Sequence, residues 1–197
     1  MDDDRDLHWN SQLEDVIAKS GEECRGYAWI HQKSEVIYSR YESLVSIPVI
    51  VLSTVGGFLS ASSGSVLPST PETNMIFGGL SVTVGILQTL NSKFGWGKRA
   101  EGHRVAYLSY SEMFNFIDVE LKLQRSERMN PDDLIKMVRE TMKRLASTSP
   151  PMPESVLKQF KKQFESEHVS KPAEANGLVK ITIYNEETKT PRSFIAV

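Results

Sequence analysis

The sequence predicts a mainly α fold: a two-transmembrane helical hairpin that continues into a cytosolic antiparallel helical stalk, with a small β-hairpin near the C-terminal end. Three observations predict it. Two charge-free intervals, from Glu42 to Glu72 and from Thr73 to Ser92, stand in a chain whose mean hydropathy is −0.31. The segments on either side of them carry stripes with the alternating four- and three-residue spacing of packed helices. The last stretch, LVKITIY…PRSFIAV, reads as two short strands.

The two windows come first. A helix needs about 20 mostly apolar residues to cross a hydrocarbon core of about 30 Å. SIPVIVLSTVGGFLSASSGSVL and TNMIFGGLSVTVGILQTLNS both meet that length. Their polar residues, among them Ser53, Thr54, Ser60, Thr83 and Gln88, do not ionise. The competing reading is a soluble protein with two buried helices, but such helices are shorter and show a charged face. The first window starts past residue 40, which does not fit a cleaved signal peptide. Lys33 and Arg40 precede the first window, and Lys93, Lys98, Arg99 and Arg104 follow the second. The loop LPSTPET between them has no Lys or Arg, so both termini are expected in the cytosol. Trp96, with Lys98 and Arg99, reads as an anchor at the headgroups. Pro48 lacks an N–H and can kink the helix where it enters lipid.

The stalk follows from two stripes. One runs Leu13, Ile17, Ser20, Cys24, Tyr27, His31, Ser34, Tyr38, Tyr41; the other runs Trp96, Ala100, His103, Tyr107, Tyr110, Phe114, Ile117, Leu121. Both helices leave the same membrane face, so they are expected to pack antiparallel. Measured from the membrane, Leu13 then lies beside Leu121, Ile17 beside Ile117, Ser20 beside Phe114, Cys24 beside Tyr110, Tyr27 beside Tyr107 and His31 beside His103. Small residues face large ones in this register. Two His alone do not complete a zinc site, although a metal or pH-sensing pair is one reading of them. The preferred reading is a polar layer of His31, His103, Tyr27 and Tyr107 that holds the register.

Inside the windows, small residues recur at four-residue spacing: Gly56, Ser60 and Gly64, with Gly57 alongside; then Ser81, Gly85 and Thr89, preceded by Gly78 and Gly79. Such faces let helices approach closely in lipid. One face closes the hairpin, and a second is left for a neighbouring subunit, so a homo-oligomer is expected. No ionisable residue lies in either span, which argues against a proton relay. Ser81, Thr89 and Gln88 are candidate pore-lining residues, with Asn91 at the cytosolic mouth.

The expected organisation is an N-terminal helix over 1–43, the hairpin over 44–92, a packing helix over 93–128, amphipathic helices over 129–167, and a linker with the β-hairpin over 168–197. Asn130-Pro131-Asp132-Asp133 reads as a helix start. The helix containing Val156, Phe160, Lys158, Lys161 and Lys162 either lies on a membrane or caps the bundle. HVSKPAEANG reads as linker. An isolated hairpin is marginal, so the final strands are expected to pair with another sheet or a protein partner.

Composition excludes several classes. A formal charge of −2 and a pI near 6.1 do not suit a nucleic-acid binder. The single Cys24 rules out an intrachain disulfide framework. GWGKR lacks the rest of a phosphate-binding loop, and no paired-Cys, HExxH or GxSxG motif occurs. Neither an enzyme nor a cofactor or metal is expected.

Trp9 and Gln12, His31 and Tyr38, Ile47-Pro48, Gly56-Gly57, and then Ala100, His103 and Tyr107 follow an order that resembles the SLATT family of two-transmembrane proteins. The resemblance covers roughly residues 7 to 125 and includes relatives in large DNA viruses. It implies a pore-forming or membrane-perturbing effector. The C-terminal strands depart from the family pattern and imply a docking tail. A structural protein that anchors a soluble assembly, such as a viral shell over an internal membrane of the virion, is the alternative.

Overall fold

The computed structural model describes residues 8–62 and 70–177. Among these, six helices follow one another: α1 Ser11–Ala61, α2 Pro71–Phe94, α3 Trp96–Lys122, α4 Pro131–Thr148, α5 Glu154–Gln163 and α6 Ala173–Asn176. Gly64 and the expected β-hairpin lie outside the described residues.

α1 starts where Asn10 accepts a hydrogen bond from the Leu13 N–H at 2.9 Å. It then runs for 51 residues, about 76 Å at 1.5 Å per residue, through the N-terminal stripe and the first apolar window without a break. The expected boundary at residue 43 is therefore a change of surroundings within one helix. Its buried residues, Leu13 through Ser34, all lie in the first half. α2 is capped by Thr70 with Pro71 in its first turn, and buries no residue. Gly95 ends α2 and opens α3 with φ at +60°, a conformation glycine adopts without strain. α3 packs along the first half of α1 and α2 along the second.

α4 completes a three-helix packing at the end remote from the apolar windows. Asn130 caps it by accepting from the Asp132 N–H at 2.9 Å. Its Leu134, Val138 and Leu145 join Leu13, Ile17, Cys24, Tyr110, Met113 and Ile117 in one core. That end is closed by Glu14, which accepts from Nε and Nη2 of Arg125, both at 2.8 Å, and from Nη1 of Arg128. Arg125 first, and Arg128 with it, hold the Glu14 carboxyl down to about 2. Burial of α3 turns partly toward α4, so Ala106 and Met113 are buried, whereas Tyr107 and Phe114 of the expected stripe are half-buried.

The register corrects the expected one by about a turn. Tyr27 stacks on Tyr110, not Tyr107, and a Cβ on Gly21 would sit 3.0 Å from Ile117, which was expected beside Ile17. Gly21 takes the place expected for Ser20, and any side chain there would have to push Ile117 back by a few tenths of an ångström. Cys24 Sγ lies 3.0 Å from Met142 Sδ of α4, a helix that the two-stripe pairing left out.

The segment after α5 is not a linker. α5 sets Val156 and Phe160 against Ile30, with Trp29 edge-on to Phe160 and Phe164 at 5.5 and 5.4 Å. Of the two readings for α5, the apolar face is therefore spent on α1. Residues 168–177 then strap across α1: Ser170 N–H donates to Glu22 at 2.6 Å and Tyr27 donates to Glu174 at 2.7 Å. Pro172 fills a notch at Gly26, where an added Cβ would lie 2.5 Å from the proline ring. Gly26→Ala should unseat the strap at a cost of about 1–3 kcal/mol, the range for overpacking. Cleavage after Glu174 by a glutamate-specific protease should accelerate in the variant while cleavage after Glu112 within α3 does not.

Candidate functional site: the ring column and the apolar faces

Each stalk helix carries a His followed seven residues later by a Tyr: His31 and Tyr38 on α1, His103 and Tyr110 on α3. Seven residues are two turns, so each pair shares a face. Because the helices run antiparallel, the His of one meets the Tyr of the other. His31 stacks on Tyr110 at 5.6 Å and 9°, and His103 on Tyr38 at 5.4 Å and 9°. The two imidazoles meet between them at 5.0 Å. Tyr27 extends the column beyond Tyr110 at 4.9 Å, and the Arg99 guanidinium covers Tyr38 at 5.8 Å. The result is a column of five rings with approximate two-fold symmetry. The His31–His103 contact survives the shifted register because each imidazole spans two levels of its partner helix. Tyr107 does not enter the column, and its expected place in the polar layer is taken by Tyr110 and Tyr38. The repeated His-x6-Tyr spacing was the available signal for this.

The imidazoles are buried, each 1 % exposed. Their Nδ1 atoms are 2.8 Å apart, so one carries the proton and the other accepts it. His31 Nε2 has no partner. An orphaned N–H is costlier than an orphaned lone pair, which assigns the Nδ1–H to His31 and the accepting Nδ1 to His103. Burial lowers both from the ordinary 6.5 to about 4, reinforced by His103 for His31 and by Arg99 for His103. Among the described residues no group of three metal-ligating side chains forms. Burial likewise pushes the Cys24 thiol up to about 12, with Glu23 adding to it.

The apolar half is built differently. A Cβ on Gly56 would lie 2.9 Å from Leu80, so Gly56 is where α1 and α2 close. Gly57, Gly78, Gly79 and Gly85 have nothing within 4 Å of the same position, and Ser60 is exposed. Ser81 and Gln88, seven residues apart, share an exposed face of α2 with Gly78 and Gly85. Thr89 bonds back to the Gly85 carbonyl at 2.8 Å, as Thr83 does to Gly79 at 2.9 Å and Thr54 to Ile50 at 2.8 Å. Asn91 is engaged within the chain: its amide donates to Ser46 Oγ at 3.2 Å, and Ser46 donates to Glu42 at 2.9 Å. Trp96 stacks on Phe94 at 5.0 Å and lies 6.2 Å from Tyr41, while Lys98 is exposed.

No family model matches this chain, and neither a curated protein nor a solved structure matches it.

Stability should depend on pH through the imidazole pair. The folded chain keeps both rings neutral to about pH 4, whereas the unfolded chain protonates them near 6.5. Between those values the unfolded state binds more protons, so stability falls as pH falls. The slope reaches at most about 1.4 kcal/mol per pH unit for each proton taken up only on unfolding. Urea unfolding at pH 7, 6 and 5 reads this, and the double variant His31→Gln/His103→Gln should flatten the profile over that range.

Proposed function

We propose that the chain is an integral membrane protein whose α1–α2 hairpin spans a bilayer, with the α1–α3 stalk and α4–α6 on the cytosolic side. The observation that carries this is the surface of the two apolar helices. Both are long and apolar enough to cross a membrane, and none of their apolar windows is buried within the chain. Leu44, Ile47, Ile50, Phe58, Met75, Ile76, Val82 and Ile86 are all more than half exposed. A core helix of a soluble protein would hide these side chains; in water they would form a continuous apolar patch. Lipid covers them without cost.

Within that reading the protein acts as a SLATT-like, homo-oligomeric effector that perturbs or opens the membrane. Support comes from the division among the small residues. Gly56 serves the hairpin, while the face of Gly78, Ser81, Gly85 and Gln88 is open to a neighbouring subunit. The Thr hydroxyls satisfy themselves on their own helices. Gln88 has no hydrogen bond among the described residues, so in hydrocarbon it calls for a polar neighbour or water. The alternative is a structural anchor that holds a soluble assembly, such as a capsid over an internal membrane. The unbroken length of α1, which carries a folded cytosolic head on a rigid rod, favours it.

Reconstituted protein should release a trapped dye from liposomes. Gly56→Leu should disturb the hairpin itself and lower thermal stability, whereas Gly57→Leu should leave the single chain folded. Tight liposomes at high protein density would exclude the effector reading, and stoichiometric recovery of the protein in a particle would then support the anchor.

A further inference from the structure

A shallow groove of about 500 Å³ runs along one face of α1, lined by Ser39, Arg40, Ser43, Leu44, Ile47 and Pro48. These residues recur at i, i+1, i+4, i+5, i+8 and i+9, so they share one side of the helix. No residue of α2 or α3 lines the groove. Its two ends differ in chemistry. Arg40 and the half-buried Ser39 and Ser43 form a polar rim; Leu44, Ile47 and Pro48, all exposed, form an apolar floor.

The depth of each end follows from the neighbouring aromatic residues. Tyr41 lies 6.2 Å from Trp96, and rings of this kind sit at the level of the headgroups. Arg40 adjoins Tyr41 in the chain, so the rim is at that level. Pro48 is eight residues further along the helix, about 12 Å deeper. On the membrane reading proposed above, on which this inference rests, the groove passes from the headgroups into the hydrocarbon.

The charge of the rim selects the occupant. Other cations that flank the apolar windows are engaged: Lys33 over Trp29 at 5.5 Å, Arg99 over Tyr38 at 5.8 Å, Arg104 with Glu101 at 2.8 Å. Among the described residues Arg40 has neither an ion pair nor a ring. Lys93 and Lys98 do not line the groove. A guanidinium offers paired N–H donors that match phosphate, and the two hydroxyls add donors beside it. We infer that this groove is a binding site for one anionic phospholipid of the cytosolic leaflet. The phosphate sits at Arg40, Ser39 and Ser43, and an acyl chain lies over Leu44, Ile47 and Pro48.

The test uses the full chain in detergent micelles. Dioleoyl phosphatidylglycerol or dioleoyl phosphatidylcholine, which share their acyl chains, is titrated in, and bound lipid is counted by native mass spectrometry. The parent should retain the anionic phosphatidylglycerol about fivefold better, the effect of one basic residue at a membrane surface. Arg40→Gln should bring the two lipids near parity, Arg40→Lys should keep part of the preference, and Lys143→Gln, on exposed α4 surface away from the apolar windows, should keep all of it. Ser39→Ala/Ser43→Ala should weaken retention of both lipids. A parent without preference, or an Arg40→Gln variant with the parent's preference, overturns the site. A carbonate wash of cell membranes keeps the two failures apart. Protein released by carbonate overturns the membrane reading itself, whereas protein retained there with an unchanged Arg40→Gln preference overturns the groove alone.

Discussion

Two imidazoles buried without a carboxylate constrain this molecule more than any other contact. Each has one polar partner of matching depth, which is the other, at 2.8 Å between Nδ1 atoms. Separating them would leave two uncompensated polar rings inside an apolar seam. The antiparallel register of α1 against α3 is therefore tied to them. The stacked tyrosines on either side extend the same register over several turns, from Tyr27 to Tyr38 on α1. α2 continues α3 through the single break at Gly95, so the register passes into the apolar hairpin, where Ser46 meets Asn91 and Gly56 meets Leu80.

The same long helix thus meets two kinds of surroundings. In its first half, α1 buries residues on several faces, because α3, α4, α5 and the strap each need one. Gly21 and Gly26 lie there where Ile117 and Pro172 approach the helix backbone closely. In its second half a single neighbour, α2, leaves most of the circumference uncovered. Thr54 in that half, and Thr83 and Thr89 on α2, turn their hydroxyls back to their own helical carbonyls, so these three donors are satisfied within the chain.

The strap links the α4–α5 end of the molecule to the column. Glu174 accepts from Tyr27, the last ring, and burial together with that carboxylate pushes the Tyr27 phenol upward. Glu22 and Glu174 stand near Glu23, whose carboxyl is raised first by burial and then by these neighbours. An event that moved residues 168–177 would therefore change both the packing at Gly26 and the electrostatics at one end of the column. The other end, where Arg99 covers Tyr38, lies close to the aromatic residues that flank the apolar helices.

Much of the architecture was legible from residue pattern alone. The charge-free windows, the breaks around them and the Asn130 cap are local signals, and each depends on short-range chemistry that a sequence displays. The meeting of His31 with His103 was also legible, since spacing from the two windows determines which residues lie at equal depth. What only the tertiary structure decided was the rotation and slip between helices. Those depend on the volumes of side chains from a third helix: Met142 against Cys24, and the core of α4 that draws Ala106 and Met113 inward. The strap was hidden for the same reason. HVSKPAEANG has the polar and proline-rich composition of a linker, and its order comes from a glycine notch and a tyrosine hydroxyl more than 140 residues earlier in the chain. Periodicity reports which face of a helix is apolar; it does not report how many neighbours will compete for that face.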